Sequence, residues 1–153
     1  MSLDRDIAIL KKVPLFADLT GEQIRLIAFS AEPQRLGDGA VLFREGERAE
    51  SGYVVSNGTV VVSTAQDEDG ELIAGPGSLL GETALLMETE RPATAVARGP
   101  VEVIRVRRAL FQRMMDEYPD IAVRIRDRLA ERLRLAGAEL SRVELRLTLL
   151  GDD

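Results

Sequence analysis

The spacing of apolar and polar residues changes twice along this chain and divides it into three parts. In the first part, apolar residues recur at roughly helical spacing up to Val13, and Pro14 is expected to end that helix. Thr20 and Gln23 have the spacing of a capping box, which predicts the start of a second helix. Residues 1–31 are therefore predicted to be a helical segment.

The second part, residues 32–107, consists of short apolar runs separated by turn residues. This pattern predicts an antiparallel barrel or jelly roll. Asn57-Gly58 lies between two valine-rich runs and predicts a tight hairpin. Residues 101–106 alternate with nearly period two and are expected to close the barrel. The predicted turns are Gly37-Asp38-Gly39, Gly46-Glu47, Asn57-Gly58, Asp69-Gly70, Gly75-Pro76-Gly77 and Gly99-Pro100.

The third part, residues 108–150, returns to helical spacing. A short helix carrying Leu110, Phe111, Met114 and Met115 is predicted first, and Pro119 suits the first position of the next. That last helix is expected to reach about Leu150, a length of about 45–50 Å at 1.5 Å per residue. Its apolar residues form one stripe: Ile125, Leu129, Leu133, Ala136, Leu140, Val143 and Leu147. Because so long a helix has little barrel to contact, a homodimer through this stripe is favoured over packing on its own barrel. Any hinge is expected near Tyr118-Pro119.

Together these patterns predict one α+β domain over residues 1–153, which is a length suited to a single domain. Its predicted architecture is an antiparallel β-roll, a jelly-roll-like barrel, flanked by N-terminal helices and a long C-terminal helix. No apolar run reaches 18 residues and no secretory signal is visible, so neither a membrane span nor export is predicted. The net charge of −6 argues against binding to nucleic acid or to an anionic membrane.

Histidine and cysteine are both absent, and this excludes several classes of site. Without histidine there is no histidine-bound zinc or iron and no Ser-His-Asp triad. Without cysteine there is no disulfide or thiolate chemistry, which fits the cytoplasm. Carboxylate chemistry remains open, but no convincing pair of carboxylates is visible. The chain is therefore predicted to have no catalytic residues and no metal, and not to be an enzyme.

Residues 81–96 hold the most informative motif, Gly-Glu-Thr-Ala-Leu-Leu-Met-Glu-Thr-Glu-Arg-Pro-Ala-Thr-Ala-Val. One short helical turn offers unpaired N–H groups and a positive dipole end. Arg91, nine residues after Glu82, can close on the same anion with a planar donor. The motif thus predicts a phosphate cradle, and Glu82 suits a second group such as a sugar hydroxyl.

This stretch resembles the phosphate-binding cassette of the cyclic nucleotide-binding domain family. Three upstream blocks, residues 13–19, 39–47 and 53–62, are similar to the family's first helices, first hairpin and central hairpin. The resemblance implies a non-catalytic sensor domain of the kind found in cAMP receptors and in regulatory subunits of protein kinase A. Its ligand would be a cyclic nucleotide, and no other cofactor is implied.

The resemblance also implies a role for each cassette residue. Arg91 would bind the cyclic phosphate, and Glu82 would accept a hydrogen bond from the ribose 2′-hydroxyl. Gly81, Thr83 and Ala84 would present backbone to the phosphate.

Three further positions are implied with the same ligand. Ala93 is one of the small residues beside the arginine that let a ligand approach the backbone. Val62 and Ala74 match positions that line the base or sugar, although for each residue alone barrel core is the better explanation.

Pro92 departs from the family pattern. The residue after the arginine usually donates its backbone N–H to the phosphate, and proline has none. Members that prefer cGMP often have threonine at this position, so proline favours cAMP over cGMP.

The output of such a sensor would pass through the C-terminal helix to a protein effector. Arg124, Arg128 and Arg132 on that helix are expected to be solvated and not to bind ligand. A DNA-binding regulator is an alternative, but the chain ends at Asp153 without room for a recognition helix, so this alternative requires a longer protein. A dimeric interaction protein whose cassette binds no cyclic nucleotide is the other, and Pro92 supports it.

Overall fold

The computed structural model describes residues 3–65 and 67–135, and within these ranges the chain folds as helices at both ends of a β-roll. The helices are α1 (Leu3–Leu10), α2 (Gly21–Ser30), α3 (Thr83–Leu86), α4 (Arg108–Glu117) and α5 (Pro119–Leu135), with a 3-10 turn at Pro14–Phe16. The strands are β1 (Glu32–Leu36), β2 (Val41–Phe43), β3 (Arg48–Ala49), β4 (Ser51–Thr64), β5 (Asp67–Ala74), β6 (Leu79–Leu80), β7 (Thr89–Glu90) and β8 (Thr94–Arg107). The predicted α+β class and β-roll are confirmed.

The capping box predicted at Thr20 is present. The Gln23 amide donates to Oγ1 of Thr20 at 3.2 Å, and the Thr20 amide donates to Oε1 of Gln23 at 2.9 Å. These two bonds satisfy amides at the start of α2 that have no partner within the helix. Pro14 begins the 3-10 turn, after α1 has already ended at Leu10.

The strands pair only in antiparallel fashion in the part of the chain that the structure describes. One sheet has the order β1-β8-β4-β5, with β2 also pairing with β8 and β6 with β4, and a small second sheet pairs β3 with β7. Residues 101–106 lie in β8, between β1 and β4. They occupy the middle of an open sheet, so the prediction that they close a barrel is wrong.

The hairpin predicted at Asn57-Gly58 is also wrong. β4 runs without a break through this dipeptide, and its register with β8 shifts on both sides of Asn57. Gly58 has a φ of +90°, and a Cβ there would overlap the Pro100 carbonyl oxygen. The glycine therefore serves a bulge that brings two long strands into close contact. Gly70 and Gly99, predicted to lie in turns, are likewise inside β5 and β8.

The other three predicted turns are confirmed, each by a hydrogen bond from an amide to the carbonyl three residues earlier. The bonds join Ala40 to Gly37 (3.0 Å), Glu47 to Arg44 (3.1 Å) and Ser78 to Gly75 (3.1 Å).

Two apolar clusters form the core of the described ranges. The first joins the helices to one end of the sheet, with Phe16 and Phe111 at a ring separation of 5.8 Å. The second lies inside the roll around Phe43 and Tyr53, whose ring centroids are 6.0 Å apart. The second cluster lies beside the predicted cassette.

The C-terminal helices begin where the sequence predicts. α4 buries Phe111, Met114 and Met115, and α5 begins at Pro119. Ile125, the first residue of the predicted stripe, is fully buried in the first cluster of the same chain. The extension to Leu150, the side chains of Leu129 and Leu133, and the stripe from Ala136 onward lie outside the described residues.

Arg128 on α5 was predicted to be solvated, but in the structure its side chain pairs with Asp18. Its Nε and Nη2 donate to Oδ2 of Asp18 at 3.0 and 2.9 Å, which ties α5 to the segment before α2. Arg124 is exposed as predicted, and the side chain of Arg132 lies outside the described residues. None of the helices in the described ranges is long and apolar enough to cross a membrane.

Candidate functional site

Arg91 follows the short strand β7 and is fixed by its backbone. Its amide donates to the Glu47 carbonyl at 2.7 Å, and its carbonyl accepts from the Gly46 amide at 2.8 Å. These bonds continue the pairing of β3 with β7. The backbone of Arg91 is therefore held against the turn that follows β2.

The Arg91 side chain turns inward instead of toward solvent, and the residue is only 5% exposed. The guanidinium carbon lies 4.4 Å from the centroid of the Phe43 ring and 5.6 Å from that of Tyr53. Both distances fall within the range of attraction between a cation and the electron-rich face of an aromatic ring. The positively charged guanidinium therefore packs against two aromatic rings of the roll core.

This charge lacks a full set of partners. Nη1 of Arg91 is the one buried side-chain polar atom, among the described residues, with no hydrogen-bond partner. Burial lowers the pKa of the Arg91 guanidinium, nearby Tyr53 and Glu47 raise it, and Arg105 lowers it. Because an arginine keeps its proton even so, the site holds a buried cation with a free donor. An anion is the ligand that such a group binds best.

Gly81 lies directly beside this donor. Its φ of +79° is in the region that favours glycine, and a Cβ built there would overlap Nη1 of Arg91 and lie 3.4 Å from the Ser51 carbonyl oxygen. The structure thus brings together the two ends of the predicted cassette. The space left by the missing side chain is filled by the arginine itself.

The residues after Gly81 form the single turn α3. The Ala84 amide donates to the Gly81 carbonyl at 3.1 Å, so it closes a turn within the cassette. Thr83 is half-buried, and Glu82 is half-buried without a side-chain capping bond to the helix. Glu82 is therefore not explained as an ordinary helix cap.

The remaining predicted site residues lie around the arginine and in the roll. Pro92 is half-buried and Ala93 is buried next to it. Ala74 belongs to the second apolar cluster and Val62 packs against it. Both therefore share a cluster with the rings that carry Arg91, as expected for core residues and for residues that line a base.

Sequence reasoning missed the two aromatic residues that hold the guanidinium. Phe43 and Tyr53 lie on β2 and β4, and their contact with Arg91 depends on how those strands pair. They fall within blocks that resemble the family, but no local spacing relates them to residue 91.

Arg108, the first residue of α4, was also missed. Its Nη1 donates to the carbonyl oxygens of Ala49 at 2.9 Å, Met87 at 3.1 Å and Ala84 at 3.3 Å. It therefore contacts carbonyl oxygens of α3 and of the residue that follows it, whereas Nη1 of Arg91 lies beside Gly81, before α3 begins.

A metal site has no support in the part of the chain that the structure describes. Within residues 3–65 and 67–135, no group of three or more histidine, cysteine, aspartate or glutamate residues could hold a metal ion.

Similarity to known proteins agrees with this geometry. The family model described as the cyclic nucleotide-binding domain matches residues 33–118, more than half of the chain. The chain is also 32% identical over 123 residues to a lysophospholipase, nte1 of Neurospora crassa. This match covers 78% of the chain but only 8% of the lysophospholipase. The chain is thus similar to a small part of that enzyme.

Two solved structures are similar over most of the chain. A cyclic nucleotide-binding-like protein from Brucella abortus is 42% identical, with a TM-score of 0.64, covering 72% of this chain and 97% of that one. The N-terminal domain of a transcriptional regulator from Streptomyces coelicolor is 29% identical, with a TM-score of 0.74, covering 87% and 97%. On the family match and the likeness to the Brucella protein, the chain belongs to the cyclic nucleotide-binding domain family.

Proposed function

We propose that this protein is a non-catalytic sensor that binds a cyclic nucleotide through Arg91 and prefers cAMP to cGMP. The observation that carries the proposal is the buried guanidinium of Arg91, whose Nη1 has no hydrogen-bond partner beside Gly81. A phosphodiester supplies the negative charge and the acceptor oxygens that this group lacks. A charge-assisted hydrogen bond of this kind contributes about 1.5–3 kcal/mol.

Glu82 and Pro92 determine which phosphodiester fits in this proposal. Glu82, half-buried at the start of α3, would accept the ribose 2′-hydroxyl, so a 2′-deoxy analogue should bind less tightly. Pro92 offers no amide to the phosphate and no hydroxyl to a guanine, which favours cAMP and lowers affinity. Val62 and Ala74 would line the base or sugar.

The proposed role is regulation and not chemistry. The chain has no histidine or cysteine, so hydrolysis of the ligand would depend on carboxylates alone. The likeness to the N-terminal domain of a transcriptional regulator supports a sensor role. The lysophospholipase match supports no activity here, because it covers only 8% of that enzyme.

The signal would leave through α4 and α5. We place the protein in the cytoplasm as a homodimer formed through its C-terminal helix, with a protein effector. Cross-linking or light scattering with and without ligand tests the dimer.

Calorimetric titration with cAMP and cGMP tests the proposal. Arg91→Ala should weaken cAMP binding by about 100-fold or more, because the phosphate loses its main donor. Arg98→Ala is the matched control, since Arg98 is exposed on β8 and should leave the affinity unchanged. Recovery of cAMP without 5′-AMP after incubation supports a non-catalytic role.

The second candidate is a dimeric interaction protein whose cassette binds no cyclic nucleotide, and Pro92 is the observation that favours it. If folded protein binds neither nucleotide, the sensor proposal is wrong and this candidate replaces it. The titration with cAMP and cGMP comes first, because the affinity for 2′-deoxy-cAMP can be interpreted only against a measured affinity for cAMP.

A further inference from the structure

Arg108 joins three elements through one nitrogen atom. Nη1 donates to the carbonyl of Ala49 at the end of β3, and to Ala84 and Met87 at the end of the cassette helix α3. The backbone amide of the same residue donates to the Glu50 carbonyl at 2.9 Å. The first residue of α4 is thus bonded by both its side chain and its backbone to the segments around the cassette.

The chemistry of α3 explains why it needs such a partner. A helix of four residues leaves nearly all of its carbonyls without partners inside the helix. A cation at the C-terminal end of a helix satisfies those carbonyls and is favourable to the helix dipole. Arg108 is that cation, and it lies on another helix.

The helix that carries Arg108 leads to the proposed output. Phe111 of α4 and Leu85 of α3 are both fully buried in the same apolar cluster. α4 ends at Glu117, the backbone of Tyr118 is not helical, and α5 begins at Pro119. Only one non-helical residue therefore separates α4 from α5, so a displacement of α4 can reach α5.

This inference rests on the proposed function, in which the ligand binds beside Gly81 and Arg91. We infer that Arg108 is a positioning residue that transmits movement of α3 to α4 and α5. Hydrogen bonds of this kind weaken beyond about 3.2 Å, and the bond to Ala84 is already 3.3 Å long. A shift of α3 away from Arg108 must therefore break these bonds or move the start of α4.

The absence of cysteine makes a direct test possible. Spin labels on Arg98→Cys, exposed on β8, and Val123→Cys, exposed on α5, would report the distance between roll and output helix with and without cAMP. In the protein that carries both spin labels, Arg108→Met removes every side-chain N–H donor of residue 108. Arg108→Lys keeps the positive charge and places three N–H donors on one nitrogen, enough for the three carbonyls that Nη1 contacts, and should restore the change in distance.

Arg107→Met is the matched control. Arg107 is the neighbouring residue and pairs with Glu32 at 2.6 Å on the surface, so its loss removes the same charge without touching the cassette. Arg108→Leu, which also has no side-chain donor, replaces Arg108→Met if the latter does not fold.

The expected result is that Arg108→Met keeps its cAMP dissociation constant within about tenfold of the parent while its ligand-dependent change in distance falls to less than about one third. Arg108→Lys and Arg107→Met should retain that change. A parent protein that binds cAMP without any change in distance would overturn the inference and leave the binding proposal intact. An undiminished change in Arg108→Met would overturn it too, and a parent that binds no nucleotide would overturn both.

Discussion

The guanidinium of Arg91 occupies the space that a side chain at Gly81 would need. A Cβ at Gly81 would overlap Nη1 of the arginine, although the two residues are ten positions apart in the chain. Gly81 is therefore required twice, once for its positive φ and once for the room it leaves. This makes the steric part of its role separable by experiment.

Gly81→Ala should cost stability and weaken cAMP binding, because it strains the backbone and displaces Arg91. Gly39 is a matched control, since it has the same φ of +79° but no atom lies within 4 Å of the position that a Cβ would occupy. We expect about 1–2 kcal/mol of destabilisation for Gly39→Ala from backbone strain, and more for Gly81→Ala. Urea unfolding and calorimetry would measure both, and equal effects in the two variants would contradict the contact with Arg91.

Arg91→Met should leave the ligand-free protein as stable as the parent, or more stable. The arginine is 5% exposed with an unpartnered donor, and replacing a buried charge by an apolar side chain of similar length is often neutral or stabilising by about 1–4 kcal/mol. The same variant should lose the rise in melting temperature that cAMP gives the parent. Thermal unfolding with and without ligand measures both effects, and a loss of stability above about 2 kcal/mol would show that Arg91 is mainly structural.

Phe43 and Arg91 should be energetically coupled, because the guanidinium carbon lies 4.4 Å from the ring centroid. A double-mutant cycle of Phe43→Leu and Arg91→Met should give a coupling of about 0.5–2 kcal/mol in the free energy of unfolding. Tyr53→Phe keeps its ring and serves as the control, with a smaller effect than Phe43→Leu. A cycle that sums to zero would mean that the rings are only neighbours of the charge.

Local signals in the sequence were sufficient for the capping box at Thr20, for three turns and for the start of α5 at Pro119. They failed at Asn57-Gly58, because this dipeptide forms a tight turn only when the flanking strands pair with each other. Here β4 pairs with β8 on both sides of the dipeptide, and that long-range pairing decides the conformation. The closing strand of the barrel was wrong for the same reason.

The candidate site shows the same division. The family resemblance located Arg91 and Gly81 in one cassette, and the structure brings them into contact. The burial of the guanidinium on Phe43 and Tyr53, and the bonds from Arg108 to α3, were not predicted. These contacts join residues separated by 21 to 59 positions, and only the folded arrangement of strands and helices brings them together.

Pro92→Ala should tighten cAMP binding. The alanine supplies a backbone N–H next to Arg91, and one added hydrogen bond contributes about 0.5–1.5 kcal/mol, or about threefold to tenfold in the dissociation constant. Pro33→Ala, at an exposed position on β1, controls for the general effect of losing a proline. Calorimetry gives the ratio, and an unchanged affinity would place the phosphate away from this amide.

Asp6 should make the protein less stable as the pH rises through the acid range. This buried aspartate on α1 has its pKa raised above the usual 3.8, chiefly because burial disfavours its charged form. The folded state therefore binds the proton more tightly than the unfolded state does. The stability that this proton supplies is present below about pH 3.8 and is lost as the pH rises through the folded pKa.

Asp6→Asn should accordingly gain stability over the parent at neutral pH, with the gain shrinking as both proteins are acidified. Urea unfolding between about pH 3.5 and about pH 7.5 tests this, with Asp4→Asn, exposed on the same helix turn, as the control. A gain that does not depend on pH would trace the effect to packing and not to ionisation.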